Sequence, residues 1–301
     1  MSKNWKKQDR RDRYDRIYLK DLDAMHTILP MLMPKRCNNE AVTIEMVETQ
    51  AIRNYLAQKN SENPAFKYTL FHVFMAAISK IMILRPHMNW FISGHRIFAH
   101  RDVTLAFMVK RAFNEKAEES IARFTADPEG GSLVNQAHDF LEKFVTAVRT
   151  ENKVEKTSNT IGFLKKLPLF TLRFFFWAIH KLEDWSLYPK VLADQDPSYC
   201  SAFLTNIGSL GMTASYHHLY EGGTMSCFAM LDACKVRPVF QEDGTYQMKE
   251  TVKVSFTLDE RIVDGYYCGT CIKLFHYLMQ HPEVLDQPAS APVDFDYKKL
   301  R

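Results

Sequence analysis

The chain has 301 residues, 46% of them apolar, which is enough for one large domain or two small ones with an ordinary core. Its 39 basic and 35 acidic residues leave a net charge of +4, too balanced to point to nucleic acid or an acidic polymer as a partner. No apolar leader marks the polar N-terminus and the six cysteines are scattered, so a reduced cytoplasmic protein with free thiols is expected.

Residues 1–20 read as a polar arm. Between Lys3 and Arg16 it holds seven Lys or Arg and three Asp, the pattern of a solvated tail or of an edge that pairs with a neighbouring subunit. The main domain is expected over 21–288, with a tail over 289–301. Val42, Ile44, Met46 and Val47 predict a strand over 41–49, followed by a short helix over 51–58. The run from Tyr68 to Leu84 is apolar on most sides and predicts a buried helix, stopped by Arg85-Pro86. Residues 90–97 and 103–109 read as strands. Leu133, Ala137, Leu141, Phe144, Val145 and Val148 fall at helical spacing, which makes 133–149 an amphipathic helix.

Further on, 201–207, 225–234 and 252–258 read as strands and 268–280 as a helix. Strands and helices are interleaved, but the connections between strands are irregular. That predicts the α+β class, a two-layer sandwich in which a mixed sheet carries helices on one side. No Gly-rich phosphate loop follows a strand, which leaves a nucleotide-binding fold without support.

Residues 163–182 stand apart within 151–199. Clustered aromatics from Phe163 to Trp177 are interspersed with Lys165, Lys166, Arg173 and Lys181. The uncharged core, Phe174 to Ile179, is far too short to cross a bilayer, which takes about 20 apolar residues. The first expectation is a helix buried over a pocket or against another subunit; contact with a membrane surface comes second. The Met31-Leu32-Met33 run reads as core material.

Chemistry concentrates in Thr257-Leu258-Asp259-Glu260-Arg261-Ile262-Val263-Asp264-Gly265, a strand end leading through a charged cluster into a helix. With Arg85-Pro86-His87-Met88-Asn89 and Phe203-Leu204-Thr205-Asn206-Ile207-Gly208-Ser209-Leu210-Gly211, in that order, it resembles the chloramphenicol acetyltransferase-like superfamily. The likeness is to the catalytic domain of the dihydrolipoamide acyltransferases, whose motifs read H-P-x-x-N, T-x-S-N-x-G and D-H-R-x-x-D-G. It covers most of the chain, but 151–199 looks longer than its family counterpart. No lipoyl domain is evident, and the chain reads as a free-standing relative.

The resemblance implies a homotrimer with coenzyme A as substrate, small-molecule acyl donor and acceptor, no metal and no attached lipoyl group. It implies Thr205 as the hydroxyl that stabilises an oxyanion and Asp264 as the carboxylate that holds the motif's geometry. Asn206, Gly208, His217, Arg261 and Gly265 complete the expected substrate-binding set, Arg261 through an ion pair and Gly265 through the turn. The departure is Glu260, which occupies the slot of the family's basic histidine. Burial would raise a carboxyl's pKa toward useful basicity; otherwise a displaced histidine, His218 ahead of His217, takes the role, or catalysis is lost and a trimeric ligand-binding scaffold remains. Adjacent histidines in a strand would face opposite ways. Cys268-Gly269-Thr270-Cys271 lacks the second pair of a structural zinc site, and its thiols read as packing groups, with a reactive Cys268 at a helix start as the minor reading.

Overall fold

The computed structural model describes residues 9–110, 119–150, 167–185, 187–213 and 215–296. Among the described residues, ten strands run in chain order: β1 (Arg16–Tyr18), β2 (Glu40–Glu48), β3 (Trp90–Ser93), β4 (Arg96–His100), β5 (Val103–Lys110), β6 (Glu119–Ala126), β7 (Ala202–Asn206), β8 (Cys227–Leu231), β9 (Lys235–Phe240) and β10 (Tyr246–Asp259). The helices are α1 (Ala24–Leu32), α2 (Gln50–Lys59), α3 (Leu70–Leu84), α4 (Leu133–Thr150), α5 (Leu169–Asp184), α6 (Lys190–Ala193) and α7 (Gly265–Gln280).

Seven strands form one mixed sheet in the order β2-β10-β8-β7-β5-β6, with β9 paired to the first half of β10. The β5–β7 and β7–β8 pairs are parallel and the rest antiparallel, so the expected mixed sheet is present. Alternation along each strand sets its two faces. Leu204, Cys227, Ala229, Leu231, Val254, Phe256 and Leu258 join the buried core with α3, α4 and α7. Ala106, Phe228 and Met230, with Phe203 against them, point the other way into a smaller cluster.

Helix α3 is apolar all round because it lies between this sheet and its helical neighbours; even Lys80 is fully buried. The Lys80 ammonium donates to the carbonyls of Pro288 and Ala291 at 3.0 and 3.2 Å. These bonds, with buried Ala289, dock the start of the expected tail on the domain.

His72 closes a capping box with Thr69, whose backbone N–H donates to His72 Nδ1 at 2.9 Å. Its ring is 2% exposed and lies 5.5 Å from that of His138. Burial first, and His138 second, push its pKa down from 6.5 to about 4. The unfolded chain therefore takes up a proton that the folded chain refuses, and stability should fall as pH drops from 6.5 through about 4. The loss is on the order of 3 kcal/mol at 1.36 kcal/mol per pK unit. Urea titrations at pH 7 and pH 4 check this: His72→Asn, which keeps an acceptor for Thr69, should show a flatter pH dependence.

Several expectations are corrected. The run 90–97 is not one strand: β3 and β4 form a hairpin that turns at Gly94 and His95, both at positive φ. With β1 they make a separate three-stranded sheet. The N-terminal arm, where described, is docked rather than solvated, since β1 pairs with β4 and both Asp12 and Arg16 are buried; Lys3 to Lys7 lie outside the described residues. Met31, Leu32 and Met33 are 64%, 71% and 36% exposed, so they are surface and not core. Helix α5 has no buried residue within the protomer, so it is not buried over a pocket of its own chain; Phe163 to Lys166 lie outside the described residues. No helix among the described residues is long and apolar enough to cross a membrane.

Candidate active site

The outer face of the sheet carries Phe203 and Thr205 on β7, Phe228 and Met230 on β8, and Ser255 and Thr257 on β10, in register. A segment without regular structure, residues 215–220, lies across it. Ser255 Oγ donates to the Ser215 carbonyl at 2.8 Å, and Thr257 Oγ1 to that of His217 at 2.7 Å. Glu40 holds the same segment by accepting from the Leu219 backbone N–H and the Tyr216 hydroxyl.

His217 stacks flat on Phe228, 4.0 Å between centroids, and Phe228 in turn stacks on Phe203 at 5.3 Å. His218 stacks on His217 at 5.1 Å, so the two rings share one side instead of pointing apart. The reason is that the segment is not a strand. Both histidines are exposed. Thr205, two residues along β7 from Phe203, therefore shares a sheet face with His217.

Glu260 is elsewhere in the protomer. Ser255 sits level with Met230 and Thr205, and β10 runs five residues further to reach Glu260. Two strand spacings across and five residues along separate Thr205 from Glu260 by about 20 Å. Glu260 is exposed within the protomer, and its backbone N–H donates to the Asn39 carbonyl at 3.0 Å.

The rest of the motif is held from within. Asp264 is the N-cap of α7, its carboxylate accepting from the Tyr267 N–H at 2.7 Å. Arg261 is buried and forks onto buried Asp259 at 2.8 and 2.7 Å, with a third bond to the Met33 carbonyl. Gly265 has no positive φ and nothing within 4 Å of where a Cβ would sit, so the turn does not demand glycine. Gly208 is different, because a Cβ there would lie 2.3 Å from the Asp232 carbonyl oxygen. Asn206 caps the short turn Ile207–Leu210 by accepting from the Ser209 N–H. Burial pushes the Cys268 thiol up, and it pushes Cys271 up to about 11, which fits packing groups and not a reactive thiolate.

Sequence reasoning missed three residues. Arg36 is buried beside Asp259, its Nε 3.7 Å from that carboxylate. Its other nitrogens donate to the carbonyls of Tyr220, Gly222 and Gly223, tying the overlying segment to the motif. Glu183, on the last turn of α5, accepts from the Gly223 N–H at 2.6 Å, and burial raises its pKa. Arg36, Arg261, Glu183, His180 and the β3–β4 turn enclose a polar cavity of about 210 Å³. His87 is sandwiched between Trp90 at 3.7 Å and Tyr267 at 4.6 Å, at the start of α7, where burial lowers its pKa. The Arg85–Asn89 turn was the signal for His87; nothing local marks Arg36 or Glu183.

A mixed sheet with helices on one face, a hydroxyl-bearing strand on the other and a carboxylate-capped helix after the last strand define the chloramphenicol acetyltransferase-like class of fold. The sequence model of the 2-oxoacid dehydrogenases acyltransferase (catalytic domain) matches residues 190–286, which include β7, the overlying segment and the motif through α7. The probable dihydrolipoamide acetyltransferase of Listeria monocytogenes superposes with a TM-score of 0.55 at 13% identity, over 87% of this chain and 95% of that one. The cubic core of a pyruvate dehydrogenase multienzyme complex gives 0.57 at 12% identity, over 90% and 95%. Chloramphenicol acetyltransferase gives 0.51 at 10%, over 88% and 98%. The likeness at these identities is one of fold. Comparison with curated protein sequences gives no match.

Proposed function

We propose that the protein is an acyltransferase that moves an acyl group between a coenzyme A thioester and a thiol, hydroxyl or amine acceptor. The observation that carries this reading is the placement of half-buried Thr205 on the outer sheet face within the matched region, in register with the strand that ends in the Glu260 to Gly265 motif. A serine, a histidine and an asparagine were investigated in the catalytic mechanism of the Azotobacter vinelandii dihydrolipoamide acetyltransferase, which has the same fold. Thr205 offers a hydroxyl here, and Glu260 with Asp264 the paired positions of the motif.

A base takes the acceptor's proton, the acceptor attacks the acyl carbon, and the Thr205 hydroxyl donates to the oxyanion that forms. Collapse breaks the carbon–sulfur bond, and the coenzyme A sulfur recovers the proton from the base. Thr205 and Glu260 of one protomer are too far apart to act together, so the reading places Glu260 of one subunit against Thr205 of the next in a homotrimer. Exposed Val42, Ile44 and Met46, on the same sheet face as Thr257 and Ser255, supply an apolar surface for that contact. His218 and His217 are the alternative base, on the Thr205 face itself.

Release of free thiol from short-chain acyl-coenzyme A, with thiol and amine acceptors present, tests the proposal. Thr205→Ala should lower turnover by about 10² to 10³ with little change in melting temperature, and Thr205→Ser should retain most of the activity. Turnover indifferent to Thr205→Ala, Glu260→Gln and His218→Ala alike rejects the reading. A second reading rests on the exposed carboxylate in the base slot: a trimeric ligand-binding protein without chemistry. It predicts that coenzyme A raises the melting temperature while no product forms.

A further inference from the structure

Helix α5 buries none of its 16 residues. Phe170, Phe174 and Trp177 are 73%, 67% and 58% exposed, spaced four and three residues apart, so they form one outward stripe. Phe174 and Trp177 stack at 5.7 Å. Leu169 and Phe176 widen the stripe, and exposure continues past the helix in Trp185, Leu187 and Val191. Arg173, His180 and Lys181 are also exposed, while the helix's carboxylates are engaged: Glu183 accepts from Gly223, and Asp184 pairs with Lys181 at 3.2 Å. The orientation is fixed. Ser93 Oγ donates to the Glu183 carbonyl at 2.8 Å, and the Asp184 carbonyl packs so closely on Gly94 that a Cβ there would lie 1.9 Å away.

The geometry points to a bilayer surface with anionic headgroups as the occupant of this face. Helix α5 lies flat, its aromatic stripe at the boundary between headgroups and acyl chains, with Arg173 at the phosphates. A helix of this length, about 24 Å, is too short to span the hydrocarbon core and carries cations within it. Arg173 decides between lipid and a protein partner. It sits beside Phe174 within the stripe, and a protein interface would have to bury its charge against a matching carboxylate. At a bilayer its stem stays among apolar groups while the guanidinium reaches phosphate. Aromatic rings, tryptophan among them, are the side chains that settle at that boundary.

Flotation of the full chain in a sucrose gradient tests this, with phosphatidylcholine vesicles holding about one third phosphatidylglycerol, against phosphatidylcholine alone. The protein should float with the anionic vesicles and much less with the neutral ones. The double variant Phe174→Ser/Trp177→Ser should lower the bound fraction roughly tenfold. Arg173→Glu, which leaves the apolar stripe intact, should weaken binding several-fold and flatten its salt dependence. Circular dichroism and melting temperature should match the parent for both. A parent that stays in the bottom fraction with both vesicles overturns the proposal, as does flotation unchanged in the double variant. If the parent does not float and the double variant has a smaller mass in solution, the face is a contact between copies, which also overturns it. None of these readouts depends on acyl transfer.

Discussion

Asp259→Asn should destabilise the protein by about 3–5 kcal/mol, the cost of leaving a buried charge without its partner. Asp259 is fully buried and is the carboxylate shared by Arg261, which forks onto it, and Arg36, 3.7 Å away. Asparagine keeps one acceptor oxygen but removes the charge and turns an amide N–H₂ toward a guanidinium. Two cations then stay buried with backbone carbonyls as their hydrogen-bond acceptors, and Arg36 keeps only the more distant Glu183 and Glu221 as counter-charges. The loss is a large fraction of the 5–15 kcal/mol that holds an ordinary domain together. Urea denaturation measures it, and the exposed pair Arg53–Glu250 provides the internal scale. Glu250→Gln should cost only about 0.2–1 kcal/mol, because water screens that pair. A loss of under 1 kcal/mol at Asp259 would mean that the two arginines are solvated. Because Arg36 also fastens residues 220–223, the variant should in addition loosen the segment that carries His217 and His218.

The sheet's central strands were legible because each buries one face and leaves the other to a thinner layer, so their runs are dense in apolar and β-branched residues. The hairpin at 90–100 was not, because Trp90-Phe91-Ile92-Ser93 and Ile97-Phe98 read as one apolar run and only Gly94-His95 marks the turn. Strand β9 hides for a different reason: Pro238 interrupts it, tolerable because it pairs on one side with β10 alone. The site was legible where chemistry is local, in the Thr205 strand and the Asp264 cap. It was not legible at Arg36, whose neighbours Lys35, Asn38 and Asn39 suggest a surface. Its burial depends on Asp259 and on carbonyls at 220–223, partners far along the chain that one sequence cannot pair. The stacked arrangement of His217 and His218 depends on Phe228 in the same way.

Under the acyl-transfer reading, Glu260→His should raise the rate, and the size of the gain separates the two roles open to Glu260. Its backbone is fixed by the bond to the Asn39 carbonyl and by the Asp264 cap four residues on, while its side chain is exposed. The substitution should therefore leave the melting temperature unchanged. An imidazole is about two pK units more basic than a carboxylate in water. If Glu260 already takes the acceptor's proton, a stronger base at the same place should bring roughly a tenfold gain. If it takes no part, supplying a base should bring about 10² to 10⁴. The pH profile carries an independent signature, because the variant's rate should fall with protonation of the new imidazole near 6.5, a limb absent from a parent whose base is Glu260. A folded variant with the parent's rate and the parent's pH profile shows that position 260 does not face the reacting atoms, and the base is then to be sought on the Thr205 face, at His218 or His217.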